Sequence, residues 1–341
     1  MKSNLKTLSA GALVLAAIEQ AHAQYTPPPP PTPFQGFLNE YLRAKDPYMN
    51  QWDFSGTERV RYESKHNLAI AGHLGSVDFR AHGADEINDY FLNRLRFHVA
   101  YTDKWWSTYV EAQSSVALSD ERFAYANVPA IPGTIKRKKE GPEGDPLDLH
   151  QAYFTLGNHK EFPLSLKAGR QELSYGEERL IGAFGWNNIG RSFDAAKVRW
   201  QNPLFGVDFF SGHPVIPEMG KFDVDNTYDW FSGAYATSTK IPANILDVYF
   251  LSRNASRKAI STEQSPQFGQ PTARDIYTVG FRLKSKPGET GNVDYSLESA
   301  YQFGDFAATA AGARLTQRAY MYVGQLGYTF TDLWATPRLG I

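Results

Sequence analysis

From Thr57 onward the chain carries repeated stretches in which apolar and polar residues alternate strictly, each bounded by Gly, Pro, Asn or Asp. A period of two sends successive side chains to opposite faces, so each stretch predicts a β-strand with one apolar and one polar face. In Arg94–Tyr101, Leu95, Phe97, Val99 and Tyr101 share one face while Arg94, Arg96 and His98 share the other. In Trp106–Gln113, Trp106, Thr108, Val110 and Ala112 oppose Tyr109, Glu111 and Gln113, and the short Asp103–Trp105 link predicts a hairpin. Counting Thr57–Glu63 as the first, thirteen runs are present; the others are Leu149–Leu156, Leu164–Gln171, Asp194–Trp200, Phe205–Phe210, Trp230–Thr237, Ile245–Arg253, Ile276–Lys284, Val293–Phe303, Arg318–Phe330 and one starting near Trp334. No convincing amphipathic helix lies between them, and the predicted fold class is all-β.

The connections alternate in length along the whole chain. Short ones fall near Asp103–Lys104, Gly157–Glu161, Gln201–Leu204, Ser238–Asn244, Ser285–Asn292 and Thr331–Leu333. Long ones cover Asn67–Asp89, Ser115–Asp148, Glu172–Phe193, Gly212–Asp229, Asn254–Asp275 and Gly304–Gln317. Short turns on one side and long loops on the other are the pattern of a transmembrane antiparallel β-barrel, with tight periplasmic turns and extended extracellular loops. A β-sandwich has no reason to segregate its loop lengths, nor to carry so many charges on the second face of successive strands. In a barrel, lipid takes the apolar face and a watery lumen takes the charges. Trp105, Trp106, Trp200, Tyr235, Tyr328 and Trp334 are the expected interfacial girdle.

Composition narrows the setting. With 341 residues, Lys+Arg 35 against Asp+Glu 36 and a net charge of −1, the chain is no polycation for nucleic acid. Zero cysteines exclude catalytic thiols, thiolate metal sites and disulfides. Lys2 and Lys6, an apolar stretch from Leu8 to Ile18 and the small-residue site Ala21-His22-Ala23 read as a secretory signal peptide, residues 1–23. Pro27–Pro31 and Pro33 favour extended polyproline geometry, so 24–50 is expected to be a proline-rich linker and 51–341 the barrel. An exported, cysteine-free chain fits the outer membrane of a Gram-negative bacterium. Thirteen is an odd count, and the last run stops before a long loop and without the usual terminal aromatic, which is expected of a chain lacking C-terminal strands. A complete, smaller barrel with one strand miscounted is the alternative.

The segment Ala168-Gly169-Arg170-Gln171-Glu172-Leu173-Ser174-Tyr175-Gly176-Glu177-Glu178-Arg179-Leu180-Ile181-Gly182, continuing through Trp186-Asn187-Asn188 to Arg191-Ser192-Phe193-Asp194-Ala195, resembles the alginate-export family of outer-membrane proteins. The strand and loop rhythm resembles that family from Gly56 to the end. The resemblance implies a monomeric barrel of eighteen strands whose electropositive lumen passes acidic polysaccharide outward, about thirteen strands of which are present here.

Placing charges by the two-residue period puts Arg59, Arg61, Arg94, Arg96, Lys167, Lys197, Arg199, Arg282 and Lys284 in the lumen, against Glu63, Glu111, Asp208, Asp247, Asp294 and Glu298. Nine basic to six acidic residues is an enrichment over the chain as a whole, and a confined basic lumen attracts polyanions. The planar fork of Arg pairs a uronate carboxylate bidentately. Arg170 joins the candidate substrate-binding set although alternation points it at lipid, so a bulge at Gly169 or a position near the rim is required. The Glu172–Phe193 loop carries four glycines, Glu177, Glu178, Arg179 and Arg191, and is expected to fold into the lumen as a constriction, with Arg179 and Arg191 toward the passing anion. A surface loop held by internal ion pairs is the alternative.

The expected function is an outer-membrane channel for anionic solutes, with export of an alginate-like polysaccharide foremost. A general or solute-specific porin is the first alternative, and a surface receptor, adhesin or barrel-wall hydrolase the second. Expected partners are outer-membrane lipid, lipopolysaccharide, anionic polysaccharide or small anions, and periplasmic export partners, with no nucleic acid and no cofactor or metal; the basic run Lys136–Lys139 is read first as a solvated charge run, with contact to lipopolysaccharide phosphates as the alternative. His98 and His150, the histidines placed on strands, lack a compelling serine partner, and no nucleotide, HExxH or GxSxG fingerprint occurs, so the chain is not expected to be an enzyme. N-terminal sequencing of the exported protein is expected to begin at Gln24; a start at Met1 would remove the signal-peptide assignment.

Overall fold

Wherever the alternation runs, a strand forms, and neighbours in sequence are neighbours in the sheet. The computed structural model describes residues 35–66, 87–120, 143–158, 161–217, 222, 226, 229–255, 273–307 and 313–341. The signal-peptide residues, the proline run and Lys136–Lys139 lie outside them. The strands are β1 (Trp52–His66), β2 (Ile87–Thr102), β3 (Trp106–Leu118), β4 (Asp145–Leu156), β5 (Leu164–Gln171), β6 (Phe193–Gln201) and β7 (Gly206–Pro214). They continue as β8 (Asp229–Ser238), β9 (Asn244–Ala255), β10 (Arg274–Ser285), β11 (Val293–Ala307), β12 (Arg314–Thr329) and β13 (Arg338–Gly340). All thirteen form one antiparallel sheet in the order of the chain, and among the described residues no ladder joins β13 to β1.

Most strands are longer than the alternation predicts. Arg59 pairs with Arg94 in the middle of a β1–β2 ladder that runs on from Tyr62 and Phe91 to His66 and Ile87. Toward that rim the outward positions turn polar, as at Ser64 and Asp89, because a strand that clears the apolar band of the membrane meets water on both faces. Strands β11 and β12 lengthen in the same way, so their connection shrinks to 308–313. The last run differs in the other direction. The chain turns at Ala335 (φ 64°) and Thr336 (φ 42°), so the strand beside β12 begins at Arg338; the Pro337 carbonyl before it accepts from the Phe330 N–H (2.9 Å), and Ile341 after it exchanges backbone bonds with Leu326 (2.9 and 3.0 Å). Within the stretch read as linker, Phe37–Lys45 forms a helix (α1). Its Asn39 side chain donates to Asp53 Oδ1 (2.7 Å) and accepts from the Phe54 N–H (2.8 Å), which ties the helix to the start of β1.

The two faces of the sheet differ sharply. Val60, Tyr62, Phe91, Leu95, Phe97, Val110, Phe154, Phe209, Val248, Phe250, Phe281 and Leu297 are exposed on one face. A soluble protein rarely leaves a contiguous apolar patch above a few hundred Å² in water, whereas a lipid-facing barrel wall requires one. Near the short-turn ends Trp52 packs on Tyr101 (5.1 Å between centroids) and Tyr101 on Trp106 (4.8 Å), a girdle on that same face. Tyr235 is not part of it: the two-residue period puts its ring on the other face, where it is buried.

The inner face holds the 172–192 connection between β5 and β6. Arg179 in that loop bonds Glu298 on β11 and Gln325 on β12, while Trp186, seven residues later, accepts hydrogen bonds from Arg59 and Arg61 on β1. Seven extended residues reach about 25 Å, whereas eleven strand spacings in a flat sheet separate β1 from β12 by about 53 Å. Even with the reach of two arginine side chains, the sheet must be rolled around the loop. Phe250 sits mid-strand on the outer face between Ala234 and Val279. Phe250→Lys is expected to destabilise the membrane-inserted fold by about 2–4 kcal/mol, measured by urea unfolding in lipid bilayers.

Candidate functional site: the infolded loop and the inner wall

Two kinds of contact seat the loop. The first is apolar. Leu173 and Ile181 are buried with Phe193, Ala195, Phe210, Tyr235, Tyr249, Leu251 and Ala300 of the wall, and burial of the two loop side chains contributes about 1.5–3 kcal/mol each. Tyr175 stacks on Phe210 (5.4 Å) and Tyr235 (4.6 Å), and its hydroxyl donates to Asp208 (2.9 Å). The turn that follows requires Gly176 (φ +60°), since a Cβ there would sit 2.9 Å from the Tyr235 hydroxyl.

The second is electrostatic. Glu177, almost fully buried, sits between Arg282 (3.4 Å) and Lys284 (3.2 Å) and also contacts Arg179. Arg179 continues to Glu298 (2.6 Å), and Arg282 to Asp247 (2.8 Å from its Nε). At the loop's start Glu172 receives Arg96 (3.1 Å) and His150 Nε2 (2.8 Å), while its N–H donates to Gln151 (3.1 Å). Burial on its own would raise the Glu172 carboxyl, but the hydrogen bond from His150 and the charge of Arg96 outweigh it and hold the carboxyl below the usual range. On the β1–β4 side the wall grips mostly main chain. Arg59 and Arg94 donate to the Gly185 carbonyl (2.7 and 3.0 Å), Ser115 to Asn188 O (2.7 Å) and Gln113 to Ile189 O (2.7 Å).

The structure distributes the sequence-derived cations unevenly. Arg61, Arg96, Arg170, Arg179, Lys197, Arg199, Arg282 and Lys284 each have a carboxylate within 4.0 Å. Among the described residues Arg59, Arg94 and Lys167 have none; Lys167 lies 3.6 Å from the centre of the Tyr153 ring. Arg191 lies 5.7 Å from the Phe184 ring, and burial together with the nearby charge of Arg253 lowers its pKa. Arg170 lies on the face opposite Lys167, one residue from the end of β5, where it forks onto Asp194 of β6 (2.9 and 3.1 Å). Its neighbour Gly169 has φ +122°, and a Cβ there would come within 2.3 Å of Ala152 O, so only glycine fits, yet both ladders run through it in unbroken register and the expected bulge does not form.

Residues the sequence reading left out include Tyr175, Gln113, Ser115 and the aromatic inner wall. A signal for the wall was present: Phe209-Phe210 and Tyr249-Phe250-Leu251 break the alternation, so both faces there are apolar and the inner one needs a cover. Strands also carry His66 and His213, beyond the two histidines expected. His98 bonds Asp53 (3.0 Å) and His150 bonds Glu172, whereas His66 meets Ser64 (2.8 Å) at exposed, outward positions.

An apolar exterior, a polar interior and an infolded loop belong to the β-barrel class of outer-membrane proteins, an architecture for transport. The model of the family described as alginate export matches residues 51–341, and the chain belongs to that family, one of transport channels rather than enzymes. No curated protein matches it. Glu177→Gln leaves three cations around a neutral amide, a loss of about 3–5 kcal/mol for a buried ion cluster. In the inserted protein this variant is expected to become sensitive to trypsin at Arg179, where the parent protein resists.

Proposed function

We propose that this protein is a passive outer-membrane conduit that moves an acidic, uronate-rich polysaccharide of the alginate type outward, through the watery space between the loop and the wall of a closed barrel. The observation that carries this reading is the division of labour among the inner cations. Most are neutralised by carboxylates, Arg96, Arg282 and Lys284 by those of the loop and Arg61, Lys197 and Arg199 by those of the wall, while Arg59, Arg94 and Lys167 stand without an ion pair among the described residues. A few unneutralised cations in a narrow, low-dielectric passage focus field on a passing anion without binding it too tightly to leave. Family membership supports polysaccharide as the solute. A barrel has no energy source of its own, so the direction of travel comes from the supply of polymer and from periplasmic export partners. The exposed apolar face contacts outer-membrane lipid and lipopolysaccharide.

The test is reconstitution in a planar bilayer with measurement of reversal potential across a salt gradient. Anion-selective conductance is expected, blocked by added polyuronate and not by a neutral polymer of the same length. Cation selectivity, or conductance indifferent to polyuronate, would leave a general porin. Absence of conductance from folded, inserted protein would remove the conduit.

A further inference from the structure

Arg59 and Arg94 stand directly opposite each other across the β1–β2 ladder, a like-charge placement that costs stability unless something negative lies between them. What lies between them is neutral. Both guanidiniums converge on the Gly185 carbonyl (2.7 and 3.0 Å) and on the Asn187 carbonyl (3.1 and 3.2 Å). The acids that face the pair are engaged elsewhere, Glu63 and Glu143 by Arg61 (2.7 and 3.5 Å), Glu172 by Arg96 and His150, and Glu111 by Tyr109, and Arg59 Nε is buried without a hydrogen-bond partner among the described residues. A carboxylate in the place of that carbonyl would accept from both guanidiniums and, unlike the carbonyl, would neutralise the opposed pair.

The segment that supplies the Gly185 carbonyl is held through its main-chain carbonyls and not by buried side chains. Phe184 and Trp186 are 51% and 66% exposed, in contrast to the buried Leu173 and Ile181. Phe184 is held at φ +53°, a left-handed conformation that bulky side chains rarely adopt, and Trp186 is held by the Arg61 guanidinium 4.4 Å from its ring. Asn187 and Asn188 on the far side are fixed by their own side chains, to Glu143 Oε1 (2.8 Å) and to Asn93 O (3.0 Å).

We propose that Arg59 and Arg94 form a carboxylate subsite whose place is kept by the Gly185 carbonyl, and that a uronate carboxylate enters it by displacing the Phe184–Trp186 tip, so that the polymer opens its own constriction. This rests on the conduit reading above and adds to it a defined contact and a moving part. Residues 172–181 stay seated on the wall, and Asn187 serves as the pivot.

The chain has no cysteine, and at Gly185 a Cβ would meet no atom within 4 Å and no left-handed φ, so Gly185→Cys accepts a single spin label without strain. In the full chain reconstituted in bilayers, the label is expected to show an immobile component that is lost, saturably, on adding a uronate oligomer, and retained with a neutral oligosaccharide of the same length. Adding Arg59→Gln and Arg94→Gln is expected to remove the immobile component before any ligand is present. If the oligomer blocks conductance while the label stays immobile, the displaced tip is wrong and the conduit survives. If the oligomer neither blocks nor mobilises, both readings fall.

Discussion

No water reaches a backbone N–H or C=O at the apolar depth of a membrane, so each must find its partner within the protein. A meander of antiparallel strands meets that demand with the shortest connections, and here every strand is laddered to its neighbours in sequence. Lipid then selects the residues of one face, as at Leu95, Phe97, Phe250 and Phe281. The other face is left to water and to whatever the chain folds into it.

Rolling the sheet sets the opposite problem, because the inner wall carries an apolar patch that needs a cover and many charges that need counterions. The 172–192 loop answers both. Its Leu173, Tyr175 and Ile181 cover the apolar inner patch of β6–β11, and Glu172 and Glu177 neutralise cations arriving from both halves of the sheet. Buried ion clusters of this kind add little net stability over an apolar core, yet removing one member is costly. They fix where the loop sits more than they stabilise the whole. The Gly185–Trp186 tip, gripped through its carbonyls, escapes that rule and is the part of the loop whose contacts a ligand carboxylate can replace.

Much of the wall was legible because the membrane imposes a local code. The two-residue period put Arg59, Arg94, Lys197 and Arg282 on one face and Val60, Leu95, Val198 and Phe281 on the other, and the faces are divided that way. Where the code is not local, the reading slipped. Tyr235 looked like a girdle aromatic because it stands near a strand end, but its phase puts it under Tyr175. The run from Trp334 looked like a strand because it is apolar, but two left-handed residues turn the chain first. Arg170, grouped with the lumen cations, keeps the outward phase that alternation gives it and pairs with Asp194 near the end of β5.

The sequence by itself determined the strand count, the two faces and the alternation of turns and loops as far as β11, since each follows from residues adjacent in the chain and from a solvent that sorts them; the expected long loop after β11 is instead as short as a turn. Only the tertiary structure decided which charges cancel. Arg179 and Glu298 lie 119 positions apart, and Arg59 and Gly185 lie 126 apart. Contacts at that separation exist because the sheet curls around its own loop, and curvature is a property of all the strands together rather than of any one segment.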